Sequence, residues 1–446
     1  GSEMCIRDSD NTELPIAARF LSGRIFPKGS GLDMNIGYRT LLKALVDVTG
    51  LSKQRLLELY KKYGDLGSMT EEALREKRAL KAFFGQQEEI SLKEVYDELK
   101  RIAEISGEES VKRREIRLRG LLARLSPLEV KYLFKLILSE LRIGVVEGIV
   151  EQSIAEAFNR DLDEVRRAVL LTGDIGEVAL MAKEDRLDQA RITPLRPLGF
   201  MLAEPFSSPK EIEEYFGRDL IAEYKYDGIR TQLHKRNNEI RLFSRRLEDI
   251  TGSFPEIIDG AKKLTHDVIL DGEVLAFKDG HPLPFSEFQK RLRRKDPWKI
   301  MEEIPVIYLV YDIMYLDGQS LIEKPLLERK RILKNLNLPE PLKLSPYRIV
   351  RRAKEIEEMF RESRRQGHEG LMLKVPDSQY EVGKRGKKWA KLKEGLDTID
   401  AVVVAAEYGH GKRAGLLSDL VFAVWDKDQL KIIGKAYSGL TDAEIK

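Results

Sequence analysis

Four prolines within sixteen residues divide this chain into two parts of different character. They are Pro194, Pro197, Pro205 and Pro209, and such a cluster is typical of a linker or of the start of a new domain. Before the cluster, apolar residues recur at helical spacing; after it, short runs rich in β-branched and aromatic residues predict strands. The 446 residues are enough for about three domains, so we expect a multidomain protein.

The segment 14–189 is predicted to be helical. Ser91-Leu-Lys-Glu94 and Ser126-Pro-Leu-Glu129 are capping boxes, in which the serine caps the helix and the glutamate hydrogen-bonds back to it. Apolar residues follow each box at helical spacing. These signals favour an all-α domain before the prolines.

Beyond the prolines, strands and intervening helices predict a mixed α and β domain, and after it glycine-punctuated strands predict a small all-β unit. Thr441-Asp-Ala-Glu444 is another capping box, but the chain stops two residues later, so we expect a sequence that is cut short. The expected organisation is an extraneous tail at 1–10, an all-helical domain at 11–192, a mixed domain at 193–396 and an incomplete β unit at 397–446.

Charge and cysteine content exclude several classes of protein. The 77 Lys and Arg nearly balance the 74 Asp and Glu, so the net charge of +3 does not indicate a uniformly basic nucleic-acid binder. One cysteine excludes a disulfide framework and a Cys-rich zinc module. No apolar run approaches the roughly 20 residues that span a membrane, and no secretion signal opens the chain. We expect no membrane contact and a cytoplasmic or nucleoid-associated location in a prokaryotic cell.

Glu223-Tyr-Lys-Tyr-Asp-Gly-Ile-Arg230 combines a hairpin pattern with residues that carry chemistry. Alternation on both sides of Asp227-Gly228 favours a β-hairpin, which is the structural alternative to a functional interpretation. Lys225 lies beside acidic residues and close to a glycine turn, where it can reach a ligand. To act as a nucleophile it must lose a proton from an amine whose reference pKa is about 10.4, and burial or neighbouring cations favour that loss.

Five further short motifs follow in order: Ser244-Arg-Arg246, Asp271-Gly-Glu273, Tyr311-Asp312, Glu369-Gly-Leu-Met-Leu-Lys374 and Trp389-Ala-Lys-Leu-Lys393. Each has a plain structural alternative, such as a solvated strand end, a core aromatic, or a tight turn joining strands at 268–270 and 274–277. Lys391 and Lys393 alternate along a strand and so point the same way, which suits a shared phosphate.

Taken together, these motifs resemble those of the covalent nucleotidyltransferases, which include ATP-dependent DNA ligases, RNA ligases and mRNA capping enzymes. Lys-x-Asp-Gly-x-Arg at 225–230 matches the shared signature. Glu-Gly-Leu-Met-x-Lys at 369–374 is close to the ligase form, whereas capping enzymes usually have Asp-Gly-Leu-Ile. Segments 13–26 and 141–157 resemble the helical DNA-binding domain of archaeal and replicative ligases. Arg246 departs from the pattern, because ligases usually have Asn at that position.

The resemblance implies a fold as well as an activity. We expect an all-α DNA-binding domain, an α+β nucleotidyltransferase (adenylation) domain of antiparallel sheets and helices, and a partial OB-fold that opens near 409–415. Ligases of this type end with a basic C-terminal motif that orients the pyrophosphate, and no such motif occurs here. We therefore expect this polypeptide to adenylate itself slowly.

The resemblance also implies roles for individual residues. Lys225 is expected to attack the α-phosphorus of ATP and form lysyl-AMP, from which AMP passes to the 5′-phosphate of a nick before the 3′-hydroxyl displaces it. The residues expected to bind the nucleotide are Glu223, Arg230, Arg245, Glu273, Tyr311, Arg385, Lys391 and Lys393. Within this set, Glu223 is expected near the adenine amino group and Tyr311 stacked on the base. Mg²⁺ is the expected metal, with Glu273 and Glu369 as its ligands.

The expected partner is nicked double-stranded DNA, which would be held by phosphate contacts because a nick occurs in any sequence. Two basic clusters are candidates, one helical at Lys112, Arg113 and Arg114, and one in an expected loop at Lys290, Arg291, Arg293 and Arg294. A solvated surface explains the same clusters. We expect a monomer, with a sliding clamp as a possible further partner.

Two alternatives to a DNA ligase stay open at this point. An RNA ligase or capping-type nucleotidyltransferase uses the same lysyl-nucleotide chemistry. A non-catalytic protein that binds nicked DNA is the second alternative, although the presence of Lys225, Glu273 and Glu369 argues against a degenerate site. The NAD-dependent ligases are excluded because their zinc module needs several cysteines.

Overall fold

The computed structural model describes residues 2–80, 90–139, 141, 147–292, 298–383, 385–394, 399–408, 417–437 and 439. The chain forms two compact units, one up to Lys393 and one from Glu394 onward. In the described part, no helix is both long enough and apolar enough to cross a membrane.

The first half of the first unit is helical, as the apolar spacing predicts. Its helices are α1 (Ser2–Asp8), α2 (Leu14–Leu21), α3 (Tyr38–Thr49), α4 (Lys53–Tyr63), α5 (Leu66–Leu80), α6 (Leu92–Ala103), α7 (Ser110–Arg124), α8 (Pro127–Ile137), α9 (Glu147–Phe158), α10 (Leu162–Thr172) and α11 (Ile175–Lys183). Both predicted capping boxes are confirmed, since Ser91 and Ser126 exchange hydrogen bonds with Glu94 and Glu129 at the starts of α6 and α8.

The first ten residues, which are predicted to be an extraneous tail, contain secondary structure. They include α1, whose Ile6 is fully buried in the same core cluster as Leu14 and Val150. A two-turn helix with one buried apolar side chain is too short a signal for periodicity to detect.

The second half of the first unit is built on two sheets. Its strands are β1 (Leu202–Phe206), β2 (Leu220–Lys225), β3 (Ile229–Arg236), β4 (Glu239–Ser244), β5 (Val268–Lys278), β6 (His281–Pro282), β7 (Val306–Leu316), β8 (Gln319–Ser320), β9 (Leu342–Leu344), β10 (Tyr347–Val350), β11 (Gly370–Lys374) and β12 (Arg385–Lys393). Its helices are α12 (Pro209–Phe216), α13 (Pro255–Ala261), α14 (Phe285–Leu292), α15 (Leu326–Lys334) and α16 (Ala353–Arg365).

One sheet has the order β1-β12-β11-β2-β10, and the other has the order β4-β3-β5-β7-β8, with β6 beside β5 and β9 beside β7. Most neighbours are antiparallel, as expected, but β1 with β12 and β7 with β9 are parallel.

The expected hairpin at Asp227-Gly228 is wrong. Strand β2 pairs with β10 and β11, whereas β3 pairs with β4 and β5, so the link between β2 and β3 crosses from one sheet to the other. Alternation predicts that two strands exist, but it does not specify which edges they bond.

The expected turn at Asp271–Glu273 is also wrong, because these residues lie inside the single strand β5. A Cβ added to Gly272 would lie 2.5 Å from the carbonyl oxygen of Leu309 and 2.7 Å from the ring of Tyr308. The glycine therefore permits the close approach of β7 rather than a turn.

The second unit contains an antiparallel three-stranded sheet of β13 (Val402–Tyr408), β14 (Leu417–Asp426) and β15 (Gln429–Ala436). The segment 409–415 and the capping box at 441–444 lie outside the described residues. The sheet agrees with the predicted all-β character of this segment.

Candidate active site

A cavity of about 150 Å³ in the first unit is lined by residues of both sheets. Its lining includes Lys225 and seven of the eight residues predicted to bind a nucleotide, namely Glu223, Arg230, Arg245, Glu273, Tyr311, Arg385 and Lys391. Lys393 is exposed at the end of β12 and is not part of the lining. The sequence motifs therefore converge on one place.

Register across the first sheet explains how the lysines come together. Lys225 on β2 and Lys393 on β12 both pair with Gly370 of the intervening strand β11, and Lys391 pairs with Met372. Because directly paired residues project to the same face of a sheet, Lys225, Lys391 and Lys393 share one face. The alternation predicted for Lys391 and Lys393 is confirmed by their place on β12.

The side chain of Lys225 contacts the carboxylate of Glu369, to which its Nζ donates a hydrogen bond. The backbone N–H of Glu369 in turn donates to the carbonyl oxygen of Lys225 over 2.8 Å. A Cβ on Gly370 would lie 2.1 Å from the carbonyl oxygen of Leu392, so only glycine lets this strand start so close to β12. Glu369 is thereby fixed beside the predicted nucleophile.

Two further carboxyl groups lie close to the lysine. Burial raises the pKa of Glu273 to about 8, and burial followed by the charge of Glu369 raises the pKa of Asp227. A Cβ on Gly228 would lie 2.3 Å from the carbonyl oxygen of Val274, so the glycine allows the link after β2 to touch β5. A carboxyl group that is partly withdrawn from water, as Glu273 is, fits a cation that would neutralise it.

The described residues contain no group of three or more His, Cys, Asp or Glu side chains arranged to hold a metal ion. Mg²⁺ is commonly bound by one or two carboxylates together with substrate phosphates, and it keeps several waters. Glu273 and Glu369 fit that pattern, and they do not fit a closed site made of protein ligands alone.

Positive charge concentrates on the same side of the cavity. Burial lowers the pKa of Lys391, and the nearby charges of Arg385, Lys225, Lys393 and Arg245 lower it further. This repulsion disfavours the charged state of Lys391 in the free protein. A polyphosphate bound here would relieve it, as expected of a phosphate-binding site.

Arg230 lines the cavity, but its charge is already paired. Its Nε and Nη2 donate to the buried carboxylate of Asp271 over 3.2 and 2.7 Å, and its Nη1 donates to the carbonyl oxygen of Met201 over 2.7 Å. The guanidinium also lies 4.7 Å from the ring centre of Phe200. These contacts are those of a structural ion pair, and the expectation that Arg230 binds the nucleotide stays a prediction.

The lining of the cavity also includes a buried carboxylate that lies between two lysines. Oε1 of Glu223 accepts a hydrogen bond from Lys330, and Oε2 lies 2.5 Å from Nζ of Lys374. The Lys374 Nζ is also 4.4 Å from the ring centre of Tyr311 and 4.2 Å from that of Trp389. Tyr311 and Glu223 thus bring an aromatic ring and a carboxylate to the same cavity.

Neither of these two lysines was predicted from the sequence to be part of the site. Lys374 lies in the motif that begins at Glu369, but no role was assigned to it. Lys330 lies among other charged residues on α15, and nothing in that pattern distinguishes a buried lysine from a solvated one.

The structure separates the residues proposed to contact DNA. Lys112 and Arg113 are exposed on α7, whereas Arg114 donates to the carbonyl oxygen of Ile105 over 2.5 Å. Lys290 is exposed and pairs with Glu287 over 2.6 Å.

Arg291 is wrong as a DNA contact, because its side chain is fully buried, pairs with Glu256 over 2.5 Å and donates to the carbonyl oxygen of Ile304 over 2.7 Å. It lies with Lys290 on α14 rather than in the expected loop, and a helix turns one basic residue of such a run inward. Arg293 and Arg294 lie outside the described residues.

Comparison with known proteins gives a consistent result. Residues 200–393 match the family model described as ATP dependent DNA ligase domain, and residues 3–155 match the model described as DNA ligase N terminus. A probable DNA ligase of Koribacter versatilis is 42% identical over 97% of this chain and 78% of its own length. DNA ligases of Methanoculleus marisnigri and Archaeoglobus fulgidus are 40% and 37% identical, over 97% and 98% of this chain and 78% and 79% of their own lengths.

Proposed function

Because the chain belongs to the family of ATP-dependent DNA ligases, we propose that it joins 5′-phosphate and 3′-hydroxyl ends at nicks in duplex DNA through an adenylated Lys225. The observation that carries the proposal is the position of Lys225. Its side chain lies at the cavity, in contact with Glu369 and on the same sheet face as Lys391 and Lys393.

In the first step, the lone pair of Lys225 Nζ forms a bond to the α-phosphorus of ATP, and the bond from that phosphorus to the pyrophosphate oxygen breaks. Nζ releases a proton and carries AMP as a phosphoramidate. Negative charge develops on phosphate oxygens, and Arg385, Lys391 and Arg245 lie at the cavity to stabilise it.

In the later steps, the phosphorus–nitrogen bond breaks as the 5′-phosphate of the nick takes up AMP. The 3′-hydroxyl then bonds to that phosphate, loses its proton and displaces AMP. Glu273 and Glu369 would hold Mg²⁺, which when bound supplies charge stabilisation to the reacting phosphates. The desolvation that raises the pKa of Glu273 supports this assignment.

The part of the cavity that Tyr311 and Glu223 line fits a nucleotide with an aromatic base. Tyr311 provides a ring for stacking, and Glu223 provides an acceptor for an amino group. The rest of the proposal follows the family: the helical region and Lys112 and Arg113 would contact DNA phosphates, and the second unit would be part of an OB-fold. A monomer acting in the prokaryotic cytoplasm or nucleoid, with a sliding clamp as a further partner, completes it.

Measuring the intact mass after incubation with ATP and Mg²⁺ tests the first step. The expected product is heavier by one AMP, and Lys225→Arg abolishes it. Lys354→Arg, at an exposed lysine on α16, is the matched control and keeps the adduct. Sealing of nicked DNA, with no sealing of nicked RNA and no GMP transfer to RNA ends, separates a DNA ligase from its nearest alternatives. Binding of nicked DNA without any adduct would contradict the proposal.

A further inference from the structure

Lys330 is a fully buried cation that lies behind the cavity rather than in its lining. It is on α15, and its Nζ contacts Oε1 of Glu223, which is only 2% exposed. The other carboxylate oxygen of Glu223 faces Lys374 at 2.5 Å. Glu223 is thus a carboxylate flanked by two ammonium groups, and a carboxylate can only accept hydrogen bonds.

The helix that carries Lys330 is anchored to the strand that carries Tyr311. The preceding residue, Arg329, is fully buried and donates to the carboxylate of Asp312 over 2.8 and 2.9 Å. Asp312 directly follows Tyr311 on β7. One turn of α15 therefore fixes both the strand that presents the aromatic ring and the carboxylate at the edge of the cavity.

The two oxygens of Glu223 are not used equally. Oε1 accepts the hydrogen bond from Lys330, whereas Oε2, despite its proximity to Lys374, has no partner with hydrogen-bond geometry among the described residues. A buried acceptor without a hydrogen bond is rare and unfavourable, and it becomes favourable when a ligand supplies the donor. Lys330 thus occupies Oε1, and Oε2, although it lies beside Lys374, keeps a lone pair that can accept a hydrogen bond from the nucleobase.

We propose that Lys330 is a positioning residue that sets nucleobase selectivity, because it fixes Glu223 as an acceptor for a base that carries an amino group at the cavity edge. A base that carries a carbonyl there places two acceptors against each other and is rejected. Without Lys330, Glu223 is free to rotate away from the position in which it accepts a hydrogen bond from an amino group. This inference rests on the proposed binding of ATP in this cavity.

The test compares ATP with inosine triphosphate, in which a carbonyl replaces the amino group. Single-turnover rates of adduct formation over a range of nucleotide concentrations give the ratio of rate constant to half-saturating concentration for each nucleotide. Lys330→Met is expected to lower the preference for ATP at least tenfold, and Lys330→Arg, which keeps the charge, is expected to retain most of it. Lys334→Met, at an exposed lysine on the same helix, should leave the preference unchanged.

The same data separate selectivity from a purely structural role. A structural role would lower the rates for both nucleotides by the same factor, and that result would overturn the proposal. Lys330→Met added to Glu223→Gln should change the preference no further, because the carboxylate through which Lys330 acts is gone. If Lys330→Met does not fold, Lys330→Gln replaces it with a neutral polar side chain. Failure of the unmodified protein to form any adduct would instead contradict the proposed function.

Discussion

Asp271 holds the guanidinium of Arg230 in a two-pronged ion pair beside the cavity that Lys225 lines, with N–O distances of 3.2 and 2.7 Å. The carboxylate is completely buried, and it also accepts a hydrogen bond from the hydroxyl of Tyr380 over 2.7 Å. The pair links β3 to β5, since Arg230 and Asp271 lie on these adjacent strands. The ion pair therefore contributes to the architecture of the cavity.

Asp271→Asn is therefore expected to destabilise the fold, because it leaves a buried guanidinium without a counter-charge. The expected loss in the free energy of unfolding is about 3–5 kcal/mol, measured by urea denaturation. Tyr380→Phe removes one hydrogen bond to the same carboxylate and is expected to cost about 1–2 kcal/mol. A loss below about 1 kcal/mol for Asp271→Asn would show that water or rearrangement compensates the charge.

Glu273→Gln is expected to stabilise the protein at alkaline pH in the absence of Mg²⁺. The pKa of Glu273 is about 8 in the folded protein and about 4.5 when exposed, so the folded state holds a proton that the unfolded state has lost between these pH values. Stability conferred by that proton is present below about pH 4.5 and is lost as the pH rises to 8. The glutamine variant does not titrate.

The advantage of Glu273→Gln over the unmodified protein should therefore grow by on the order of 2–4 kcal/mol between pH 5 and pH 8.5. Chemical denaturation in the presence of a chelator measures it. An advantage that does not change with pH would mean that Glu273 is ionised throughout this range.

The sequence motifs predicted which residues meet at the cavity better than they predicted the strands that bring them there. Short motifs far apart in the chain converge because β2, β11 and β12 are neighbours, and alternation along each strand says nothing about neighbours. Asp227-Gly228 and Gly272 were predicted to be turns because a short motif does not show which strand packs against its glycine. In both places, glycine permits close packing between strands, a requirement that depends on the partner strand.

Long-range pairing also explains what was missed. Arg230 and Arg291 are arginines whose local sequences predict exposure or ligand contact, yet each is paired with a carboxylate distant in sequence. The helical region was easier to predict, because capping boxes and apolar spacing are local signals. Those signals were reliable at α6 and α8.

His234 is expected to make the fold sensitive to acid. It is completely buried, its Nδ1 accepts from the backbone N–H of Leu195 over 3.1 Å, and burial lowers its pKa from 6.5 to about 3. Below about pH 6.5 the unfolded state takes up a proton that the folded state refuses, so stability falls as the pH decreases toward 3.

His234→Gln keeps a group that can accept from Leu195 but does not titrate. The free energy of unfolding of the unmodified protein, relative to this variant, is expected to fall by about 2 kcal/mol between pH 7 and pH 5. The other histidines are common to both proteins, so their titration cancels. A constant difference across this range would place the imidazole in contact with water.

Exposed residues of α7 are expected to contribute to DNA affinity through phosphate contacts. Each such contact adds about 0.9 to the slope with which the logarithm of the affinity falls against the logarithm of the salt concentration. Lys112→Ala and Arg113→Ala should each reduce that slope by about 1 for nicked duplex DNA, measured by fluorescence anisotropy, with little dependence on DNA sequence. Lys354→Ala, at an exposed lysine on α16, should leave the slope unchanged. Slopes equal to that of the unmodified protein in both α7 variants would assign Lys112 and Arg113 to a solvated surface.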